Sequence, residues 1–371
     1  MKAMCASVTV VLLIAVPRPA WTQPADRASF TVGTATASRG QAATGAIEVA
    51  AGSDAALSIP VAVVHGGKPG PVLALVAGSH GTEYASIVAL TRLVSALDPR
   101  DVAGTVIIVP LVNVPSFTRI VPHLNPVDGK NMNRMYPGRA DGTQTDRASL
   151  AITRHVIEPA DHVIDYHGGD LDENLRPYAY WTRTGKAAQD AASRALVLAF
   201  GLDHIIISSD RPTDPAASRY LENTATTRGK PSITVEAGHS GPVEPEDVAV
   251  LVNGTLSVMR QLKMLPGAPA PTEHPVWIDH LADVTSDQAG IFHPGVKPGT
   301  YAEAGMTLGY VTDFLGRKTG DLHAREAGVV LYIRAVPSVG KGDTVASVAV
   351  VAREHGPAEQ GRELGCLRGG G

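Results

Sequence analysis

The chain has 371 residues, of which 44% are hydrophobic and 18% charged, and a formal net charge of −4. That length allows roughly two or three domains and a full buried core. The charge leaves no basic footprint for nucleic acid.

Lys2 precedes an apolar run over 6–16 that is too short to span a bilayer and is broken by Pro17 and Pro19. Residues 1–22 read as a signal peptide, with small residues near Ala20 and Thr22 marking cleavage; a buried N-terminal helix is the alternative. No other stretch is long and apolar enough for a membrane span. Of the two cysteines, Cys5 leaves with the signal, and Cys366 alone can form no intrachain disulfide. Metal ligands must then come from histidines and carboxylates. Export without disulfides fits a bacterial periplasm.

Residues 23–65 carry no helical periodicity and predict short strands over 29–32, 45–49 and 58–64. Buried strands follow over 72–77 and 105–112. Between them, Ile87, Leu90, Val94 and Leu97 share one face of a helix over 84–97. Further helices are predicted over 146–157, 186–200 and 245–265, and strands over 162–166, 204–208 and 232–236. Strands alternating with helices indicate an α/β domain over 23–265, with a mixed, mostly parallel central sheet flanked by helices. A Pro-rich linker occupies 266–275 (PGAPAPTEHP), and 276–352 reads as a small all-β domain. The Gly-rich polar tail, 353–371, reads as disordered.

In such sheets the ligand site lies beyond the carboxyl ends of the strands. Four polar side chains sit there. VLALVAGSHGTE ends a strand in glycine and then presents His80 and Glu83; DYHGG presents His167; TVEAG presents Glu236. Two histidines and a glutamate form a catalytic zinc set with a fourth position open to water, whose pKa the metal lowers. The plainer alternatives are a solvated turn for His80 and Glu83, and a strand cap for His167, with His162 competing as the ligand. Glu236 reads as a general base, or as half of a structural salt bridge. Asp165 is read as pointing away from His167, with an orienting hydrogen bond to a ligand histidine as the alternative. In NPVDGKNMNRMYPG, Asn133 and Arg134 suit a carboxylate clamp; an ordinary surface ion pair is the alternative for Arg134.

GSHGTE, DGKNMNRMYPG, DYHGG and TVEAG, in that order, resemble the succinylglutamate desuccinylase/aspartoacylase family, a branch related to the zinc carboxypeptidases. The resemblance spans roughly residues 60–351. It implies a zinc-carboxypeptidase-like fold, one zinc ion on His80, Glu83 and His167, and Glu236 as the catalytic carboxylate. Asn133 and Arg134 would hold the carboxylate of a small-molecule substrate whose N-acyl bond is hydrolysed. The C-terminal segment is similar to the family's small β-domain. That domain resembles biotinyl and lipoyl carriers, but no lysine here sits in a matching carrier motif. One departure stands out: better-studied aspartoacylases have a carbonyl-polarising arginine where this chain has Pro126, leaving His123, Arg119 and Arg139 as substitutes. A metallocarboxypeptidase on short or cell-wall peptides, an esterase on a carboxylate-bearing ester, and a non-catalytic periplasmic binding protein are the competing readings.

Overall fold

The apolar run beginning at Val72 is a strand buried on both faces, and its alternation divides the core in two. The computed structural model describes residues 27–209 and 212–352, so the expected signal peptide and tail lie outside the described residues. In chain order the first half holds β1 (Ser29–Val32), β2 (Ala35–Ser38), β3 (Gln41–Val49), β4 (Leu57–His65), β5 (Lys68–Ala77), α1 (Tyr84–Ala96), β6 (Ala103–Val109), α2 (Val114–Arg119), α3 (Gln144–Ile152) and β7 (His162–His167). Then come β8 (Glu173–Leu175), β9 (Tyr178–Thr182), α4 (Ala187–Phe200), β10 (His204–Ser208), α5 (Leu221–Thr227), β11 (Ser232–Glu236) and α6 (Pro245–Gln261). The C-terminal segment holds β12 (Val276–Thr285), β13 (Gly290–Pro294), β14 (Tyr301–Ala302), β15 (Thr307–Thr312), β16 (Lys318–His323), β17 (Gly328–Arg334), β18 (Ser338–Val339) and β19 (Thr344–Val351).

Among the described residues, thirteen strands form one sheet, ordered β14-β17-β19-β12-β10-β9-β11-β7-β5-β6-β4-β3 with β8 on β17. The architecture is mixed α/β. The expectation of a mostly parallel sheet holds only in two runs, β6-β5-β7-β11 and β9-β10-β12. Pairing is antiparallel at both flanks and where β9 meets β11. The reason is local: β3 and β4 form a hairpin, and β9 enters beside β11 without a helical crossover.

The C-terminal segment is all-β and has its own core, including Phe292, Val311 and Val330. It joins the main sheet edge-on, through parallel pairing of β12 with β10 and antiparallel pairing of β12 with β19. The Pro-rich 266–275 stretch holds no strand or helix. Helix α6 stops four residues before the expected end, at Gln261, where Lys263 turns into the left-handed region.

Alternate residues of β5 face opposite layers. Leu73, Leu75 and Ala77 pack with α1, α4 and α6; Val72, Ala74 and Val76 pack beneath α3, α5 and the β1–β2 hairpin. This second face changes character across the sheet. It is apolar on β4, β5 and β6 and at Val163 of β7. Beyond Val163 it carries Asp165 and His167 on β7, Thr234 and Glu236 on β11, and Tyr178, Tyr180 and Thr182 on β9, all lining one cavity. A buried face that turns polar is costly unless the polar groups are paired or used.

Gly78 sets the exit from β5. Its φ is +70°, and a Cβ there would lie 2.9 Å from Leu111 Cα and 2.8 Å from Leu111 Cδ1. Left-handed backbone costs an L-residue about 1–2 kcal/mol before any clash. Gly78→Ala is therefore expected to lower stability by at least ~1 kcal/mol, read as a lower denaturant midpoint; an unchanged midpoint means that the turn relaxes freely.

Candidate active site

Three strand ends deliver the site. The turn after β5 brings His80 and Glu83, the last residue of β7 is His167, and the last residue of β11 is Glu236. Glu236 and His167 are register partners on neighbouring parallel strands, which sets their side chains on the same face. Close approach continues just past the strands: a Cβ on Gly168 would lie 2.3 Å from the Ala237 carbonyl oxygen.

Glu83 is buried, and each of its carboxylate oxygens meets a different imidazole. Oε1 lies 2.6 Å from His80 Nδ1, and Oε2 lies 2.9 Å from His167 Nδ1. The two rings are 5.1 Å apart at their centroids. Burial alone would raise the Glu83 pKa, but His167 and His80 outweigh it and hold the carboxyl down at about 2. For His167, burial opposes protonation, yet the Glu83 and Asp165 carboxylates raise its pKa well above the ordinary range.

A second ring of groups orients the histidines. Asn131 Oδ1 lies 3.1 Å from His80 Nε2, and Asn133 Nδ2 lies 2.9 Å from His167 Nε2. The Asn133 side-chain oxygen accepts the Leu221 backbone N–H at 2.9 Å, which ties the loop to α5. Asp165 does not point away: two residues apart on one strand, it shares the face of His167. Its Oδ1 is 3.3 Å from His167 Nε2, is buried, and makes no hydrogen bond among the described residues.

These residues fit a divalent cation of the zinc type. One donor atom from each of His80, Glu83 and His167 lies within 4.8 Å of the others, and these are donor types that zinc takes. Ligation of His167 through Nδ1 requires the proton on Nε2, beside the orphaned Asp165 oxygen. The competing histidine, His162, opens β7 instead of closing it, and burial lowers its pKa to about 4.

Glu236 faces the cavity. Burial pushes its carboxyl well above the ordinary glutamate range; His167 acts the other way, and Glu83 and Glu173 reinforce the rise. Arg134 is exposed at the cavity rim. Its guanidinium lies 4.7 Å over the Tyr220 ring and donates to the Asn133 carbonyl at 2.7 Å. Among the described residues it forms no ion pair, so the alternative of a surface ion pair is not met.

Of the three substitutes for the missing arginine, His123 alone lines the cavity. Its ring stands edge-on to His80, with centroids 6.0 Å apart. Nε2 meets Asp172 at 2.8 Å and Nδ1 meets Asp170 at 3.3 Å, so both nitrogens already face carboxylates. Burial works against the charged form, but these carboxylates and Glu173 raise the His123 pKa to about 9. His123 therefore brings positive charge to the site and has no N–H left over for a substrate oxygen. Arg139 sits instead beside Asp146, at 3.6 Å. His239 pairs with Asp247 at 2.6 Å and does not line the cavity.

Sequence reasoning missed several groups here. Asp170 is fully buried and accepts from the Thr82 hydroxyl and the His123 backbone N–H, knitting together three of the loops that carry the site. Tyr178, Tyr180 and Glu222 also line the cavity, which measures about 560 Å³. The alternation in YAYWT would have identified β9 and its two tyrosines. Nothing comparable marks Glu222, because LENTATT has no amphipathic pattern.

Residues 69–262 match the succinylglutamate desuccinylase/aspartoacylase catalytic domain. The N-alpha-acetyl-L-2,4-diaminobutyric acid deacetylase of Halomonas elongata is 32% identical over 308 residues, covering 81% of this chain and 88% of that protein. The product-bound structure of the ectoine utilization protein EutE (DoeB) from Ruegeria pomeroyi is similar with a TM-score of 0.76 and 27% identity, covering 90% of this chain and 100% of that one. The succinylglutamate desuccinylase/aspartoacylase structure from Rhodobacter sphaeroides has a TM-score of 0.72 and 27% identity, covering 81% of this chain and 91% of that one. With more than half its length matched by the family's catalytic domain, this chain belongs to the succinylglutamate desuccinylase/aspartoacylase family.

Proposed function

We propose that this protein is a zinc-dependent hydrolase that cleaves the N-acyl amide bond of a small, carboxylate-bearing substrate of the N-acyl amino acid type. One observation carries the reading: His80, Glu83 and His167 converge from distant segments, with Glu236 beside them in register on the next strand. The Halomonas relative, named as an N-acetyl amino acid deacetylase, supports the bond type.

His80, Glu83 and His167 would hold the zinc ion. When bound, it polarises a carbonyl and makes water acidic enough to ionise near neutral pH. Glu236 takes the proton from the attacking water and returns it to the departing nitrogen. A carboxyl whose proton affinity is raised by burial suits both halves of that transfer. Arg134 receives the free carboxylate in a charge-assisted, two-pronged hydrogen bond. Asn131 and Asp165 offer acceptor oxygens to His80 Nε2 and His167 Nε2, which favours the tautomer that leaves each Nδ1 free. His123 adds positive charge where negative charge develops on the carbonyl oxygen. Export to the periplasm belongs to the same proposal and rests on Lys2 and the apolar run over 6–16.

The test begins with elemental analysis of the purified protein and a panel of N-acyl amino acids, with and without chelator. Product analysis on short peptides separates a deacylase from a peptidase that uses the same groups. Glu236→Gln should keep its metal and lose about 10²–10⁴-fold in kcat; unchanged turnover would refute its role as base. His167→Ala should lose the metal itself. Asp165→Asn should weaken metal affinity by roughly 10–100-fold, seen as chelator sensitivity. In Arg134→Ala, losing a charged hydrogen bond worth about 1.5–3 kcal/mol should raise KM by roughly 10–100-fold, more than it lowers kcat.

A further inference from the structure

The face of the sheet that carries the site is polar at one side and apolar at the other. One register row crosses five strands: Asp165 of β7, Thr234 of β11, Tyr180 of β9, Ile206 of β10 and Ile278 of β12. Register partners on neighbouring strands share a face. The change from polar to apolar therefore falls at β9, one strand beyond Glu236. A parallel row runs His167, Glu236, Tyr178.

Leu175 of β8, Leu281 of β12 and Leu331 of β17 line the cavity. All three belong to one apolar cluster with Tyr178, Tyr180 and Tyr332, which line it too. The cluster begins directly beside the reacting groups, because Tyr178 is the register partner of Glu236, one strand spacing or about 4.8 Å away. Leu175 pairs in turn with Tyr332, which carries the wall onto β17. Leu281, Tyr180 and Tyr332 are only half-buried. Farther along β12 the surface turns polar again, where Asp283 accepts from Ser347 Oγ at 2.6 Å. The apolar wall is thus bounded at both ends.

The carboxylate clamp lies on the other side of Glu236. Asn133, just before Arg134, meets His167 of β7 and the first residue of α5, and Arg134 lies over Tyr220 at the start of that helix. In sheet order the clamp stands beside β7, Glu236 on β11, and the apolar wall from β9 onward.

We propose that this wall receives the substrate's acyl chain, so that the preferred substrates are N-acyl amino acids with an unbranched aliphatic acyl group longer than acetyl, of the butyryl to hexanoyl class. This rests on the deacylase reading, because Arg134 must hold the substrate's carboxylate. The acyl chain and the carboxylate-bearing carbon leave a trans amide at opposite ends. With the carboxylate at Arg134 and the amide at His80, His167 and Glu236, the acyl chain points away from β7, toward β9 and the leucines. Each methylene taken out of water there should raise kcat/KM about fourfold. An acyl group ending in a carboxylate is disfavoured by the same wall. Among the described residues, Arg134 is the one arginine lining the cavity and no lysine lines it, so a second carboxylate laid on leucines would have neither as a partner.

The test compares kcat/KM of the zinc-loaded protein for the acetyl, butyryl, hexanoyl and succinyl derivatives of glycine, alanine, glutamate and 2,4-diaminobutyrate. It also titrates the protein calorimetrically with acetate, butyrate and hexanoate. On at least one amino acid the hexanoyl derivative should exceed the acetyl one tenfold or more, with succinyl below butyryl. Hexanoate should bind at least tenfold more tightly than acetate. Leu281→Ser should shrink the hexanoyl-to-acetyl ratio at least threefold, and Leu281→Met should keep it. A smaller wild-type ratio on every amino acid, succinyl at or above butyryl, or a ratio that Leu281→Ser leaves unchanged overturns the proposal. If Leu281→Ser does not fold, the wild-type ratio and the acid titrations decide. If no acyl amino acid is cleaved but hexanoate binds tenfold more tightly than acetate, the deacylase reading fails and the apolar subsite stands. If acetyl derivatives are cleaved while the three acids bind alike, the subsite alone falls.

Discussion

A single buried carboxylate holds this site together. Glu83 places one oxygen on His80 and the other on His167, and so ties the turn after β5 to the end of β7. In the interior such an arrangement is all or nothing. With both imidazoles present their attraction outweighs burial and keeps Glu83 ionised; with one removed, a charge would be stranded out of water. The same demand for compensation makes the trio a good cation site. One donor atom from each of the three residues already lies within 4.8 Å of the others, and Asn131, Asn133 and Asp165 stand beside the far ring nitrogens.

The surrounding architecture exists to bring polar groups to one face of an otherwise apolar sheet. Strands β5 and β6 are buried on both sides, as a parallel core requires. At β7 the second face changes from Val163 to Asp165 and His167, and β11 and β9 extend that polar surface. Layers α1, α4 and α6 on the opposite face carry the packing and leave this one to form a cavity. The C-terminal strands close its far side: Leu281, Asp283, Tyr332 and Ser347 line the same cavity, because β12 continues the sheet from β10. The two segments of the chain thus build one site.

The residues around the cluster are joined by shared partners. Asn133 touches His167 and the first residue of α5; α5 supplies Glu222; Tyr220, just before it, carries Arg134. Asp170 links Thr82 to the His123 loop. Linkage of this kind fixes the positions of these side chains through hydrogen bonds to the backbone and rings.

The sequence by itself determined which strand ends carry the candidate site residues. Apolar runs that break at Gly78, Gly168 and Gly238 can be read locally, since burial and glycine punctuation depend on neighbours in the chain. His80, Glu83, His167 and Glu236 were legible for that reason, as was the DGKNMNR loop. Tertiary structure decided what local pattern cannot encode. It turned Asp165 toward His167, occupied both nitrogens of His123, and set β9 antiparallel against β11. It also brought Glu222 from a segment without periodicity into the wall of the cavity. Each of these depends on partners tens of residues away, and a side chain's charge and direction are settled only once those partners arrive.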